Sequence, residues 1–192
     1  MAEVLLFHHA NGLTKGVLDF ADELRRVGHT VHAPDLYDGH TFQSLDDGLA
    51  YAKQAGFDQI QEHGIRAADG LPADLVYAGF SLGVIAAQQL AQTRAGAHGA
   101  LLFHSCVPAS EFGSDWPADV PVQVHGMEAD PFFTEEGGDL EAARALVAST
   151  DHAELFLYPG DQHLFADNSL PSYDADAAGL LTRRVLDFLD SR

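Results

Sequence analysis

Basic residues are scarce in this sequence. Ten Lys and Arg face 29 Asp and Glu over 192 residues, a formal charge of −19. So few cations cannot build a basic face large enough to track a phosphate backbone, and nucleic acid is excluded as an expected partner. The same field slows the approach of anionic small molecules and favours neutral ones, although solubility alone accounts for much of such acidity. Cys106 is the only cysteine, so no intrachain disulfide can form. No apolar run approaches the roughly 20 residues that span a bilayer, so no membrane partner is expected. Residues 1–9 lack a basic segment ahead of their apolar run and read as a strand, not a secretory signal. With the lone cysteine, this makes a cytoplasmic protein the expectation. Repeats, low-complexity tracts and interdomain linkers are also missing, which leaves one domain over residues 1–192.

What is present is an alternation of strand and helix signals. Short apolar runs at 4–8, 29–33, 74–80, 97–104, 120–125 and 154–158 read as strands. Helical spacing covers 15–27, one or two segments between 45 and 68, then 84–94, 139–149 and 175–190. Several strand runs are apolar almost throughout, as expected when helices cover both faces of a parallel sheet. The expected class is therefore α/β, a mostly parallel sheet flanked by helices on both faces. The longest irregular stretches are 36–44 and 108–117.

Within this pattern, Gly79-Phe80-Ser81-Leu82-Gly83 matches G-x-S-x-G between a strand and a helix. In a nucleophile elbow the Ser occupies a strained turn that holds its hydroxyl clear of the backbone. The flanking glycines are required because a Cβ would collide where strand and helix pack closely. The helix start also supplies free N–H groups for an oxyanion. The plainer reading is a glycine-rich turn whose Ser merely caps a helix.

In an open parallel sheet, ligands bind beyond the C-terminal ends of the strands, so partners for Ser81 are sought there. Asp130 follows the strand at 120–125 and His163 follows the one at 154–158. Their chain order is the Ser, acid, His order of such hydrolases. A serine hydroxyl needs an imidazole to take its proton, and the imidazole needs a carboxylate to fix its tautomer and support its transient charge. Glu128, Asp161 and Asp167 compete with Asp130; His104 and His125, which also end strands, compete with His163. Two oxyanion donors are expected, the N–H of Leu82 and the N–H of Ala10 in the turn 9–12. The pair His8-His9 does not suggest a metal site, because adjacent strand residues point to opposite faces. Cys106 lacks an elbow and reads as a small buried hydrophobe.

These pieces together resemble the dienelactone hydrolase family of α/β-hydrolases, which implies the α/β-hydrolase fold with no large lid domain. The matching segments are 5–13, Ala33-Pro34-Asp35-Leu36-Tyr37, the elbow, His125-Gly126 through Asp130 and Phe132, and Tyr158-Pro159-Gly160 with His163 and Phe165. Three positions depart from the family pattern. Ser81 replaces the usual nucleophilic Cys, His9 stands where a Glu contacts that Cys, and Asp167 stands where an Arg holds the substrate carboxylate. An Asp cannot pair with a carboxylate, which points away from dienelactone itself. The resemblance thus implies a serine hydrolase of small neutral esters or lactones working through an acyl-enzyme, with Ser81, Asp130 and His163 as catalytic residues. His9, Asn11, Tyr37, Phe42, Phe132 and Phe165 are the expected substrate-binding residues. No cofactor and no metal are implied, the expected partner is the small-molecule ester or lactone, and the oligomeric state stays open. A thioesterase or acyltransferase with the same three residues, a non-catalytic binding module and a flavodoxin-like fold are the alternatives.

Overall fold

The computed structural model describes residues 1–113, 115–135 and 138–192. Ser114, inside the loop expected at 108–117, lies outside them. Six strands, β1 (Glu3–Phe7), β2 (Thr30–His32), β3 (Val76–Phe80), β4 (Gly99–Phe103), β5 (Val122–Met127) and β6 (Ala153–Tyr158), form one sheet in the order β2-β1-β3-β4-β5-β6. Every pairing is parallel. The helices are α1 (Lys15–Arg26), α2 (Leu45–Ala55), α3 (Phe57–Arg66), α4 (Val84–Thr93), α5 (Asp139–Ser149) and α6 (Ala175–Asp190). No lid domain is found among the described residues.

Successive strand residues serve opposite faces. Leu5, Phe7, Tyr77, Leu102 and Val124 pack under α2, α3, α4 and α5. Val4, Leu6, Val76, Ala78, Phe80, Leu101 and Phe103 pack under α1 and α6. This two-sided burial is why these runs are apolar without alternation. The helical run between 45 and 68 is two helices, broken at Gly56, whose φ of +93° the α-helix cannot use. Near their ends the strands are a residue or two shorter or longer than the sequence suggests, the usual uncertainty of frayed termini.

The chain leaves β1 for α1 on one face and leaves β3 for α4 on the other, so the loops diverge between two neighbouring strands. That opens a crevice at the C-terminal edge, the place where such sheets receive ligands.

Candidate active site

At the end of β3, Ser81 has φ +47°, a left-handed conformation rare for a residue with a Cβ. A strained position of this kind costs about 1–3 kcal/mol and persists only where its surroundings fix it. The glycines supply that fixing. A Cβ on Gly79 would lie 2.4 Å from Gly83 O, and one on Gly83 would lie 2.6 Å from the carbonyl oxygens of both Phe7 and His8. The turn is thus pressed against itself and against the end of β1. His104, ending β4, and Leu164, beside His163, also have positive φ (64° and 61°), so the strain clusters at this edge.

Ser81 Oγ lies 2.9 Å from His163 Nε2. His163 Nδ1 donates to Asp130 Oδ2 at 2.6 Å. A carboxylate only accepts, so Nδ1 carries the proton and Nε2 of the neutral ring is the lone pair facing Ser81. Asp130 is fully buried, and its Oδ1 accepts the Phe132 N–H at 2.9 Å. Its backbone carbonyl also accepts from Thr134 N and Oγ1, which ties the loop after β5 into a compact turn. Of the competing acids, Asp161 is bonded to Gln162 and Asp167 is bonded to His9, so neither holds the His163 ring.

Of the expected substrate-binding residues, Asn11 and Phe132 line a cleft of about 380 Å³ beside His163, together with Gln43, Leu45, Leu164 and Leu170. Phe132 is half exposed and packs 4.9 Å from the His163 ring. Phe42 packs on Tyr37 and Tyr51 at the back of the loop after β2. Tyr37, Phe165 and His9 lie beneath the surface instead of in the cleft. Phe165 is fully buried against Tyr158 and His104, and Tyr37 sits edge-on to His8. A side chain in a loop beyond a strand end turns inward or outward according to what packs against it, so the sequence could not separate them.

The loop after β1 is held from several sides. Gly12 N donates to His9 O and Phe42 N to Asn11 O, while Asn11 Nδ2 donates to Phe42 O. A Cβ on Gly48 of α2 would meet Ala10 O at 2.3 Å, so this helix backs the turn. Ala10 itself is fully buried, and among the described residues no acceptor is paired with its N–H. His8 and His9 diverge. His8 Nε2 accepts the Leu36 N–H and its Nδ1 donates to His9 O, while His9 turns to Asp167. Burial, the leading cause, lowers the His8 pKa to about 4, so its ring is neutral. Among the described residues no three acidic, His or Cys side chains converge as a metal site. Burial pushes the Cys106 thiol up to about 12, with Asp139 adding to the shift, so its nucleophilic form is suppressed.

Six parallel strands with a hydrogen-bonded Ser, His and Asp across their C-terminal edge define an α/β-hydrolase. The chain belongs to the dienelactone hydrolase family, whose model matches residues 1–192. It is a hydrolase of esters or lactones. Solved structures share the fold at low identity. A dienelactone hydrolase-like promiscuous phosphotriesterase from metagenomic libraries is 20% identical with a TM-score of 0.74, over 100% of this chain and 86% of that one. Dienelactone hydrolase from Anabaena variabilis is 18% identical with a TM-score of 0.67, over 98% and 87%. Zea mays acyl-protein thioesterase 2 is 14% identical with a TM-score of 0.58, over 98% and 94%. No curated protein matches the sequence. No helix among the described residues is long and apolar enough to cross a membrane.

Sequence reasoning noticed Asp167 but not what it touches. Its contact with His9 joins residues 158 positions apart, and the only signal was that both depart from the family pattern. The buried His104, edge-on to Phe165 and 5.8 Å from the His163 ring, carried no signal beyond its place at a strand end.

Proposed function

We propose that the protein cleaves small neutral carboxylic esters or lactones through an acyl-enzyme on Ser81. The observation that carries this reading is the pair of contacts from His163, 2.9 Å to Ser81 Oγ and 2.6 Å to Asp130 Oδ2, with the strained φ at Ser81. His163 Nε2 takes the hydroxyl proton as Ser81 Oγ attacks the carbonyl carbon. Asp130 holds the imidazole in the tautomer that can accept it and supports the imidazolium that forms. The Ala10 and Leu82 amides receive the negative oxygen; each such donor is worth about 3–4 kcal/mol of barrier. His163 returns the proton to the leaving alkoxide, then deprotonates a water that attacks the acyl carbon and frees Ser81.

The cleft supports a neutral substrate. Among the described residues no Lys or Arg lines it, Asp161 does, and Asp167 is committed elsewhere. A substrate carboxylate would therefore find no Lys or Arg to pair with. Asn11 and Phe132, which line the cleft, are the residues expected to touch substrate.

The test combines covalent labelling with turnover. A fluorophosphonate should modify Ser81 in the intact protein, located by mass spectrometry. Ser81→Ala should lower kcat on a reactive ester by about six orders of magnitude with the fold unchanged. Undiminished esterase activity in that variant, or a wild type that resists the label, would end the assignment.

A further inference from the structure

Behind the cleft lies a second His–Asp pair. His9 and Asp167 are both buried, and His9 Nε2 lies 2.8 Å from Asp167 Oδ2. On the other side of the ring, His9 Nδ1 is 3.2 Å from the Asn11 backbone N, which can only donate. Nδ1 must therefore hold a lone pair, and Nε2 must carry the ring proton and donate it to the carboxylate. The geometry is an imidazole version of the Asx turn, in which a side-chain acceptor takes the N–H two residues on. It fixes the chain on either side of Ala10.

Asp167 is tied as firmly. Thr14 Oγ1 donates to Oδ2, and the Ser169 N–H (2.8 Å) and Oγ (2.6 Å) both donate to Oδ1. Thr14 also caps α1, accepting the Val17 N–H. Asp167 N donates to Leu164 O, closing the turn that begins beside His163. One carboxylate thus joins the loop after β1, the start of α1 and the loop that carries His163.

We propose that His9 and Asp167 are a positioning pair: Asp167 selects the His9 tautomer that accepts the Asn11 N–H, and this holds the Ala10 amide aimed at the oxyanion. The inference rests on the hydrolase reading above. It also explains why two departures from the family pattern occur together. Asp167 serves the oxyanion turn through His9 and leaves the substrate alone.

The chemistry makes an isosteric substitution informative. In Asp167→Asn the side-chain oxygen must face Ser169, whose backbone N–H can only donate. The amide NH₂ then faces His9 Nε2, which has to accept. The ring proton moves to Nδ1 and confronts the Asn11 N–H, donor against donor. Shape is kept and the tautomer is reversed.

Four proteins separate the outcomes: wild type, Asp167→Asn, His9→Leu and His9→Asn. The last restores an acceptor for the Asn11 N–H and lacks the link to Asp167. The expectation is a 30- to 100-fold loss of kcat in Asp167→Asn and His9→Leu, with KM changed less than about threefold, because the lost alignment matters in the transition state. His9→Asn should recover most of that loss. In ¹⁵N-resolved spectra of the histidine rings, Asp167→Asn should move the His9 proton from Nε2 to Nδ1. Equal kcat in all four proteins, His9→Asn no better than His9→Leu, or an unmoved ring proton would each overturn the proposal. If one of Asp167→Asn and His9→Leu does not fold, the other is compared with His9→Asn by the same kcat criterion; if neither folds, the ring proton of wild-type His9 decides, its place on Nε2 upholding the proposal and on Nδ1 overturning it. Fluorophosphonate labelling of wild-type Ser81 stands apart from all of these: if it fails, the hydrolase reading falls, and if it succeeds while the variants do not differ, only the positioning pair falls.

Discussion

Two His–Asp pairs flank the same strand edge, oriented in opposite senses. In His163–Asp130 the acid holds Nδ1, and Nε2 faces the Ser81 hydroxyl beside an open cleft. In His9–Asp167 the acid holds Nε2, and Nδ1 faces a backbone amide in the interior. Both carboxylates choose a tautomer. What differs is the group on the far nitrogen, a mobile proton in the first pair and a fixed N–H in the second. An imidazole beside a carboxylate is therefore a proton carrier or a strut according to what its other nitrogen meets. The sharpest way to break the comparison is Asp130→Asn, which should present the wrong His163 tautomer to Ser81 and lower kcat by about 10⁴-fold. A loss no greater than that in Asp167→Asn would mean that the two pairs do not differ in kind.

Acid should next separate Asp167 of the second pair from two buried histidines that belong to neither pair. Burial leaves His8 with a pKa of about 4 and His125 with one of about 3; Arg184 adds to the His125 shift. Each must charge in the unfolded chain below its ordinary value of 6.5 while staying neutral in the fold. The stability they contribute is thus fully present above pH 6.5 and is lost as pH falls towards 4 and 3, about 3 kcal/mol for His8 alone. Asp167 behaves differently. Burial would raise its pKa, but hydrogen bonds from His9, Ser169 and Thr14 outweigh that and bring it from 3.8 to about 2. Its contribution is present above pH 3.8 and is lost as pH falls to 2, about 2 kcal/mol. Urea unfolding from pH 7 to 2 should show both windows. Asp167→Asn should flatten only the lower one; a flattened upper window would show that the histidines do not own it.

How far this could be read from the sequence depends on the range of each signal. The sheet was legible because two-sided burial writes itself into Leu5, Leu6, Leu101 and Leu102 without reference to distant residues. The turn at Ser81 was legible because Gly79 and Gly83 have no room for a Cβ. Asp130 and His163 could be named from chain order, since each follows a strand ending at the same edge. The inward positions of Tyr37 and Phe165 were not legible, because the turn of a side chain beyond a strand end is set by what packs against it. Gly56 could have been a helical glycine or a break, and its φ is decided by how α3 docks. The His9–Asp167 contact was the least accessible, since it needs both loops in place.

A smaller perturbation reaches the second pair without altering either member. Gly16 opens α1 so close to Asp167 that an added Cβ would lie 1.7 Å from Oδ1 and 2.9 Å from Asn168 N. In an exposed helix, Gly→Ala stabilises by up to about 1 kcal/mol. Here the carboxylate has to move, so Gly16→Ala should destabilise the fold and lower kcat about tenfold, with Ser81 still labelled. A more stable and fully active variant would show that Asp167 can shift without consequence for the oxyanion turn.

The mildest change tests whether the strut tolerates partial loss. Ser169→Ala removes one hydroxyl donor from Asp167 Oδ1 and the acceptor of the Gly16 N–H at the start of α1, and leaves the Ser169 N–H on the same oxygen. A hydrogen bond to a charged group contributes about 1.5–3 kcal/mol, but Oδ1 keeps its second donor, so the expected cost is nearer 1 kcal/mol. The acid-loss window of Asp167 should move upward, because one of the groups holding its pKa down is gone. The His9 tautomer depends on Oδ2 and should not change, so kcat should stay within about twofold of wild type. A large kcat loss without a tautomer change would place the Ser169 hydroxyl itself in the positioning of His163, six residues back along the same loop, and would make the loop after β6 the element that decides the geometry of the site.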